Sequence, residues 1–269
     1  MNNEITGLAF FDLDGTLLNN NTNEICESAL RALEALRENG FKIILSTGRD
    51  MDTHYSREYL DIVKPDAVIH LNGSKITVGD ELLFKHTVSS ELLHEVFDFC
   101  TANDICMGTS IAGEDFFINP EKKAASDAIY NKFLKRNFVP FEDLFERGLE
   151  VSALSFAGDL AKDKPLVEEH FPNLKLFAFN DSQGADVVEE GFSKAEGMKK
   201  LCAYFGVPEA DTYAFGDSKN DIPLLMAAGT GIAMGNADPA AKDAADYITD
   251  DIARDGILKA CRHFGLIRY

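Results

Sequence analysis

Short apolar segments alternate with amphipathic ones at the start of the chain. Leu8–Phe11 is an unbroken apolar run typical of a buried strand, and apolar residues from Ile25 onward recur at helical spacing until Gly40. Phe41–Leu45 and Ala67–Leu71 predict two further strands. Strands that alternate with helices in this way are typical of a parallel sheet covered by helices.

The same alternation returns in the last third of the chain. The pattern predicts two helices and two strands there: a helix over Lys194–Phe205, a strand over Thr212–Phe215, a helix over Ile222–Ala228 and a strand over Gly231–Met234. Both ends therefore read as halves of one sheet, in an α/β core that we assign to residues 1–84 and 187–269.

The segment between the two halves, residues 85–186, is less regular. Helices are predicted over Ser90–Ala102 and Asp163–His170, and strands over Val151–Ala157 and Leu174–Phe179. We interpret it as an inserted α+β domain.

Composition narrows the possible partners and the compartment. The chain has 26 Lys and Arg against 45 Asp and Glu, a net charge of −19, so no positive field is present to hold nucleic acid or an anionic membrane. Five scattered cysteines without a C-x-x-C pair are typical of a reducing compartment. The start of the chain has no signal-peptide pattern, and no apolar run is long enough to cross a bilayer. A cytoplasmic location is expected.

Candidate chemistry begins with Asp12 and Asp14, which directly follow the first strand. The carboxyl end of a parallel strand places side chains in the crevice where ligands bind. An ionised Asp12 can attack phosphorus, while Asp14 can protonate the leaving oxygen and later deprotonate water. The alternative is an ordinary turn, since Asp and Gly both favour turns.

Three further polar clusters have the same placement. Ser46–Arg49 follows the second strand, where a hydroxyl and backbone N–H groups can cradle phosphate, or can simply cap a helix. Lys194 is predicted at a helix start, where a positive charge opposes the helix dipole; it could neutralise phosphate or be a surface lysine. Asp217 follows the strand Thr212–Phe215, and together with Asp12 it offers the oxygen ligands that Mg²⁺ prefers. Ser218 or Asn220 could instead merely cap the next helix.

The combination is much less easily explained by turns and caps than any single cluster, because all four lie at or near strand ends of one predicted sheet. The ordered set resembles the four motifs of the haloacid dehalogenase-like (HAD) superfamily. It is most similar to the Cof-type phosphatases, whose pattern also includes Asn72-Gly73 and the late run Ala233–Ala237. The resemblance implies a Rossmann-like parallel-sheet core and makes the insertion a large, C2-type cap.

The resemblance also implies a role for each motif residue. Asp12 is implied as nucleophile and metal ligand, Asp14 as general acid/base that also offers its backbone carbonyl to the metal, and Asp217 as the other metal carboxylate. Asp221 is implied to order Lys194 or metal-bound water from outside the ligand shell. The implied phosphate-binding residues are the backbone N–H of Leu13 together with Thr47, Gly48, Lys194 and Asn220.

These expectations describe a Mg²⁺-dependent phosphatase that acts on a small phosphorylated metabolite, a sugar phosphate or similar phosphomonoester, through a phospho-aspartyl intermediate. Two alternatives share the motifs: a phosphomutase or phosphotransferase, which transfers the phosphoryl group to a sugar hydroxyl, and a non-catalytic sensor of phosphometabolites. The intact Asp12, Asp14 and Asp217 disfavour the sensor. The substrate and the oligomeric state leave no signal in the sequence. Polar residues of the insertion could face a cleft or lie in solvated loops: Asp115, Asn119, Lys123, Asn180 and Asp181.

Overall fold

The structure is a computed structural model that describes residues 5–53, 56–130, 137–179 and 184–267. The chain forms two compact units. The first comprises residues 1–49, 59–84 and 192–269, and the second comprises residues 50–58 and 85–191. Each unit is described by itself below.

Sixteen strands are found in the described residues: β1 (Gly7–Phe11), β2 (Leu18–Asn19), β3 (Glu24–Ile25), β4 (Phe41–Ser46), β5 (Ala67–His70), β6 (Lys75–Val78), β7 (Glu81–Lys85), β8 (Cys106–Ile111), β9 (Glu114–Phe117), β10 (Phe138–Val139), β11 (Leu154–Ala157), β12 (Leu174–Ala178), β13 (Gly184–Glu189), β14 (Thr212–Gly216), β15 (Thr230–Ala233) and β16 (Tyr247–Ile248). Ten α-helices are found in the same residues: α1 (Glu27–Glu38), α2 (Glu58–Val63), α3 (Ser90–Ala102), α4 (Pro120–Tyr130), α5 (Asp143–Glu146), α6 (Leu160–His170), α7 (Lys194–Phe205), α8 (Ile222–Ala227), α9 (Pro239–Ala244) and α10 (Gly256–His263).

The first unit contains an eight-stranded sheet in the order β16-β15-β14-β1-β4-β5-β6-β7. The pairs from β16 to β5 are parallel, and β6 pairs antiparallel with β5. The central strand β1 is buried along its whole length, as expected for a parallel strand covered on both faces. The predicted α/β class with a parallel-sheet core is confirmed.

Two details of this unit differ from the sequence prediction. Ile25 does not belong to the first helix, because it pairs with Leu18 in the short β2–β3 hairpin and α1 begins only at Glu27. The strands β6 and β7 were not predicted; β7, at the edge of the sheet, is largely exposed and has only three consecutive apolar residues, too few to identify a strand.

The second unit contains a six-stranded sheet in the order β10-β9-β8-β11-β13-β12, packed with helices around a core of its own. Val96 of α3, Phe116 of β9, Phe156 of β11 and Val167 of α6 belong to this core. The predicted end of the insertion, residue 186, falls inside β13, and the unit continues to Gly191. All of β13 belongs to the second unit, because the strand pairs along its length with β11 and β12.

Among the residues that the structure describes, no helix has both the length and the apolar character that a bilayer-spanning helix requires.

Candidate active site

Three chain segments of the first unit leave neighbouring parallel strands at the same edge of the sheet. β1 lies between β4 and β14, and its last residue pairs with residues near the ends of both neighbours. Asp12 follows β1, Thr47 follows β4 and Asp217 follows β14. The carboxyl ends of parallel strands thus place these three predicted site residues along one edge.

A cluster of buried carboxylates occupies this edge. Asp12, Asp217 and Asp221 are 4%, 3% and 0% exposed, and each offers one carboxylate oxygen such that these oxygens lie within 4.8 Å of one another. Buried carboxylates are found close together mainly where a cation holds them, because their mutual repulsion is otherwise costly. The arrangement could hold a metal ion.

Lys194 places one positive charge in the cluster. Its side chain is fully buried, and its Nζ donates to Asp12 Oδ1 and to Asp221 Oδ1, both at 2.6 Å. It is the first residue of α7, whose N-cap Ser193 accepts a hydrogen bond from the N–H of Glu196. The alternative of a surface lysine is therefore wrong.

Burial and the neighbouring charges both shift the pKa values of these groups. Burial raises the pKa of Asp12 to about 8; the Lys194 ammonium opposes this rise, and the carboxylates of Asp221 and Asp14 add to it. Burial likewise raises the pKa of Asp217, and the Asp12 and Asp221 carboxylates raise it further. Burial alone would lower the pKa of Lys194, but Asp12 and Asp221 outweigh it and raise that pKa, so the lysine stays charged.

Asp221 holds the neighbouring groups in place with both of its carboxylate oxygens. Oδ1 accepts from Lys194, and Oδ2 accepts from the backbone N–H groups of Asp217 and Ser218 at 3.0 Å each. Ser218 and Asp221 form a capping box at the short 3₁₀ turn of residues 219–221. Capping by Ser218, one of the structural alternatives, is thus present.

Asn220 has a different partner. Its Nδ2 donates to Oδ1 of Asn72 at 2.9 Å, and its own Oδ1 accepts from the Ser218 hydroxyl at 2.6 Å. The amide is therefore held at both ends. It does not cap the following helix.

Backbone hydrogen bonds hold the loop after β4 in place. Thr47 is buried, its N–H donates to the carbonyl of Ile69 at 2.9 Å, and its Oγ1 accepts from the N–H of Arg49 at 3.1 Å. Gly48 between them is half-buried. The preceding Ser46 Oγ is buried and makes no hydrogen bond within the described part of the chain. Thr47 and Gly48 thus lie in a fixed loop at the same sheet edge as Asp12.

Leu13 anchors the loop that carries the two predicted catalytic carboxylates. Its carbonyl accepts from the N–H groups of Thr16, Leu17 and Leu18, which closes a tight turn after Asp12. The side chain of Leu13 is fully buried. Only its backbone can therefore face a ligand.

Asp14 does not join the buried carboxylate cluster. Its carboxylate accepts two hydrogen bonds from Arg49, from Nε at 2.7 Å and from Nη2 at 2.5 Å. The Arg49 guanidinium also lies over the ring of Tyr59, 5.6 Å from the centroid. The predicted acid/base residue is thus held by Arg49, for which the motif resemblance implies no role.

A profile of haloacid dehalogenase-like hydrolases matches residues 9–261. The chain belongs to this family. The expected resemblance to the Cof-type phosphatases of the HAD superfamily is confirmed, and so is the classification of the chain as a HAD phosphatase.

Relatives cover nearly the whole chain. The 5-amino-6-(5-phospho-D-ribitylamino)uracil phosphatase YcsE of Bacillus subtilis (strain 168) is 29% identical over 96% of each chain. The HAD subclass IIB sugar phosphatase BT4131 is 30% identical, with a TM-score of 0.86 over 97% of this chain and 100% of its own. The HAD phosphatase BT1666 of Bacteroides thetaiotaomicron is 29% identical, with a TM-score of 0.87 over 98% and 96% of the two chains.

Several residues that support the candidate site carry weak sequence signals or none. Thr16 Oγ1 donates to Asp217 Oδ1 at 2.9 Å, and Asn236, in the late run that resembles the Cof-type pattern, donates from Nδ2 to the carbonyl of Gly15 at 2.7 Å. Asn72 was noted only as part of that pattern. These contacts join residues more than a hundred positions apart, so only the general motif resemblance could have pointed to them.

The polar residues suggested for the insertion make structural contacts in the second unit. Asp115 lies in β9 and is 5% exposed, and its carboxylate accepts from the Ser110 hydroxyl and the N–H of Asn137. Asp115 is therefore not in a solvated loop. Asn119 donates to the carbonyl of Ile105, and Lys123 lies over the ring of Phe117. The remaining two, Asn180 and Asp181, lie outside the described residues.

Proposed function

We propose that this HAD phosphatase uses Mg²⁺ to hydrolyse a small phosphomonoester through a phospho-aspartyl intermediate on Asp12. The observation that carries the proposal is the convergence of Asp12, Lys194 and Asp217 in one buried cluster at the carboxyl edge of the sheet. A nucleophile, a cation for the phosphoryl oxygens and a second carboxylate for the metal are the components that phosphoryl transfer to a carboxylate requires.

The donor set fits Mg²⁺ in charge and in chemistry. If Asp12, Asp217 and Asp221 are all ionised and Lys194 is protonated, a divalent cation offsets the net charge that remains. All the donors are oxygens, which Mg²⁺ prefers. Asp12 and Asp217, with the backbone carbonyl of Asp14, would hold the ion, whereas both oxygens of Asp221 already accept hydrogen bonds.

Bound Mg²⁺ supplies positive charge that draws the substrate phosphate towards the anionic nucleophile. Lys194 contributes a second positive charge, held in place by Asp221. Thr47, Gly48, Asn220 and the backbone N–H of Leu13 bind the remaining phosphate oxygens in this proposal. These groups orient the phosphorus for in-line attack by a carboxylate oxygen of Asp12.

The proposed reaction has two steps. A carboxylate oxygen of Asp12 forms a bond to phosphorus as the ester P–O bond breaks, and the departing alkoxide takes a proton from Asp14, whose carboxyl group is protonated at this stage and has given up one of its two Arg49 hydrogen bonds. Asp14, now ionised, removes a proton from water, which attacks the phosphorus and breaks the bond to Asp12. The products are the alcohol and inorganic phosphate, and both aspartates return to their starting protonation states.

We infer that the substrate is a phosphorylated sugar or polyol, in a cytoplasmic enzyme, and that the second unit selects it. Two relatives support the substrate class: BT4131 is described as a sugar phosphatase, and YcsE acts on a phosphorylated ribityl compound by name. The first unit accounts for the phosphate chemistry, so recognition of the alcohol falls to the second unit in this proposal.

A direct test compares Asp12→Asn with Asp115→Asn, a matched exchange of a buried aspartate in the second unit. We expect Asp12→Asn to keep its far-UV circular dichroism and lose nearly all phosphate release from sugar phosphates, since an amide is no nucleophile. Asp115→Asn should retain chemistry on a small aryl phosphate. EDTA should abolish wild-type turnover and Mg²⁺ should restore it.

Turnover of Asp12→Asn within a few fold of wild type would contradict the phospho-aspartyl proposal. Full activity in rigorously metal-free buffer would contradict the proposed metal. Analysis of the products separates the alternatives: isomerised sugar phosphate without inorganic phosphate would indicate a mutase, and tight binding of a sugar phosphate without turnover would indicate a sensor.

A further inference from the structure

The turn between β5 and β6 has an unusual backbone. Three consecutive residues, Leu71, Asn72 and Gly73, have φ values of 50°, 52° and 97°. Left-handed backbone is unfavourable for residues other than glycine, and least so for Asn and Asp. Such a turn persists only where surrounding contacts hold it.

The turn is fixed to two of the segments that carry phosphate-binding residues. The N–H of Asn72 donates to the carbonyl of Thr47 at 3.1 Å, and the N–H of Leu71 donates to that of Arg49 at 3.2 Å. Gly73 lies against the residue that precedes Lys194: a Cβ at Gly73 would lie 2.2 Å from the carbonyl oxygen of Ser193. The turn therefore contacts the loop after β4 and the start of α7.

The side chain of Asn72 reaches a third segment. It is 1% exposed, and its Oδ1 accepts the hydrogen bond from Nδ2 of Asn220 at 2.9 Å. An amide nitrogen carries two hydrogens, and this contact engages one of them. The Ser218 hydroxyl lies at the oxygen of the same amide, but a hydroxyl can donate or accept and would tolerate either end, whereas Oδ1 of Asn72 only accepts and so selects the NH₂ group of Asn220.

We propose that Asn72 is a positioning residue for phosphate binding, which acts by fixing the rotation of the Asn220 amide so that its second N–H points to the phosphate. This inference rests on the proposed function, in which Asn220 binds phosphate. Without Asn72 the amide can rotate, and an inward-facing amide oxygen would repel the anion. The left-handed turn brings the side-chain carbonyl group of Asn72 to this position.

The test is Asn72→Gly, since glycine accepts the left-handed backbone while removing the amide. Asn119→Gly is the matched control: Asn119 also has a φ of 52°, and its Nδ2 donates to the carbonyl of Ile105 in the second unit. Both exchanges remove a side-chain hydrogen bond at a left-handed asparagine. A general loss of stability should therefore be similar in the two variants.

We expect Asn72→Gly to raise both KM for a sugar phosphate and Ki for inorganic phosphate about tenfold, the factor for one lost charge-assisted hydrogen bond. kcat should change little, because a contact made equally in the ground state and the transition state affects binding alone. Asn119→Gly should leave the Ki for phosphate unchanged. In an Asn220→Ala background, Asn72→Gly should add no further loss.

Equal Ki values for phosphate in the two glycine variants would overturn the inference, and so would full additivity of Asn72→Gly with Asn220→Ala. If Asn72→Gly does not fold, Ser218→Ala tests the other end of the same amide, and unchanged KM and Ki there would overturn it as well. Ki for phosphate is a binding measurement, so it remains informative if Asp12→Asn refutes the covalent intermediate.

Discussion

Arg49 holds Asp14 through two parallel hydrogen bonds, from Nε to Oδ2 at 2.7 Å and from Nη2 to Oδ1 at 2.5 Å. The two side chains come from neighbouring loops, since Asp14 follows β1 and Arg49 follows β4. A bidentate guanidinium fixes both the position and the rotation of a carboxylate, which a lysine could not do. Arg49 therefore determines how the Asp14 carboxyl group is oriented for any acid/base role.

Arg49→Met should lower kcat by up to about a hundredfold, because a misplaced proton donor aligns poorly with the leaving oxygen. KM should change less than kcat. In an Asp14→Asn background the same exchange should have no further effect on kcat. The measurement is kcat and KM for four proteins: the wild type, Arg49→Met, Asp14→Asn and the double variant.

Arg147→Met is a suitable control for Arg49→Met. Arg147 donates to Glu114 at 2.7 Å and lies over the ring of Phe116, so it makes the same kinds of contact in the second unit, although with a single hydrogen bond. Its loss should leave kcat for a small aryl phosphate near the wild-type value. If Arg49→Met slows an Asp14→Asn enzyme as much as it slows the wild type, Arg49 does not act through Asp14.

Asp14→Asn alone should slow turnover by about 10²–10⁴-fold, the usual contribution of a general acid/base. An alkyl phosphate needs protonation of its leaving oxygen more than an aryl phosphate does, so its kcat should fall further where transfer to Asp12 limits the rate. The measurement is the loss of kcat in Asp14→Asn for an alkyl phosphate and for an aryl phosphate. Equal losses, with transfer shown to be limiting, would remove Asp14 as the acid.

The fold was predictable wherever a strand or helix is regular and strongly patterned. The apolar runs of β1, β4 and β14 are buried on both faces, and the predicted bounds of α3 and α7 agree with the structure. The elements that the sequence pattern did not predict are short or exposed, such as the β2–β3 hairpin and β7. In these, neither helical nor strand periodicity extends over enough residues.

The site was predictable as a set of residues, but its geometry was not. The motif order named Asp12, Lys194, Asp217 and Asp221, which the structure brings together. Pairings between loops, such as Arg49 with Asp14, depend on how side chains point after the strands are assembled. Sequence spacing carries no information about that step.

Asp217→Asn should raise the Tm of the metal-free protein while abolishing turnover. Burial and the neighbouring carboxylates raise the pKa of Asp217, which means that its ionised form is unfavourable in the fold; a neutral amide avoids that cost and still accepts from the Thr16 hydroxyl. A gain of about 1 kcal/mol would raise Tm by about 2–4 °C in a domain of this size. Thermal unfolding in EDTA measures the change.

Added Mg²⁺ should reverse the order of stability between wild type and Asp217→Asn. A ligand that binds only the folded state stabilises it, so Mg²⁺ should raise the Tm of wild type and have little effect on Asp217→Asn. Asp163→Asn, an exchange of a buried aspartate in the second unit, should respond to Mg²⁺ like wild type. An equal Mg²⁺ response in Asp217→Asn would argue against a ligand role for Asp217.

Gly15→Ala should damage the site more than backbone strain alone explains. Gly15 has a φ of 85°, and a Cβ there would lie 2.3 Å from Oδ2 of Asp217. Gly206→Ala is the control, since Gly206 has a φ of 68° and nothing within 4 Å of such a Cβ. Both should lose some stability. Only Gly15→Ala should also lose Mg²⁺-dependent stabilisation and turnover, and equal kcat values in the two variants would contradict the close approach.

Removal of residues 85–191, which leaves only residues 50–58 of the second unit, should change substrate choice while retaining the phosphate chemistry. Phe84 and Phe192 stand on either side of the inserted residues, and their rings stack with centroids 6.1 Å apart, so a short linker can replace residues 85–191. The truncated protein retains the eight-stranded sheet with Asp12, Lys194 and Asp217. We expect weak, Mg²⁺-dependent hydrolysis of a small aryl phosphate and little preference among sugar phosphates, because most of the unit proposed to bind the alcohol is then absent. The control is Asp12→Asn in the truncated protein: loss of the remaining hydrolysis there shows that it does not come from a contaminating phosphatase. A ranking of sugar phosphates that matches the full chain would place recognition in the first unit instead, and the second unit would then need another role.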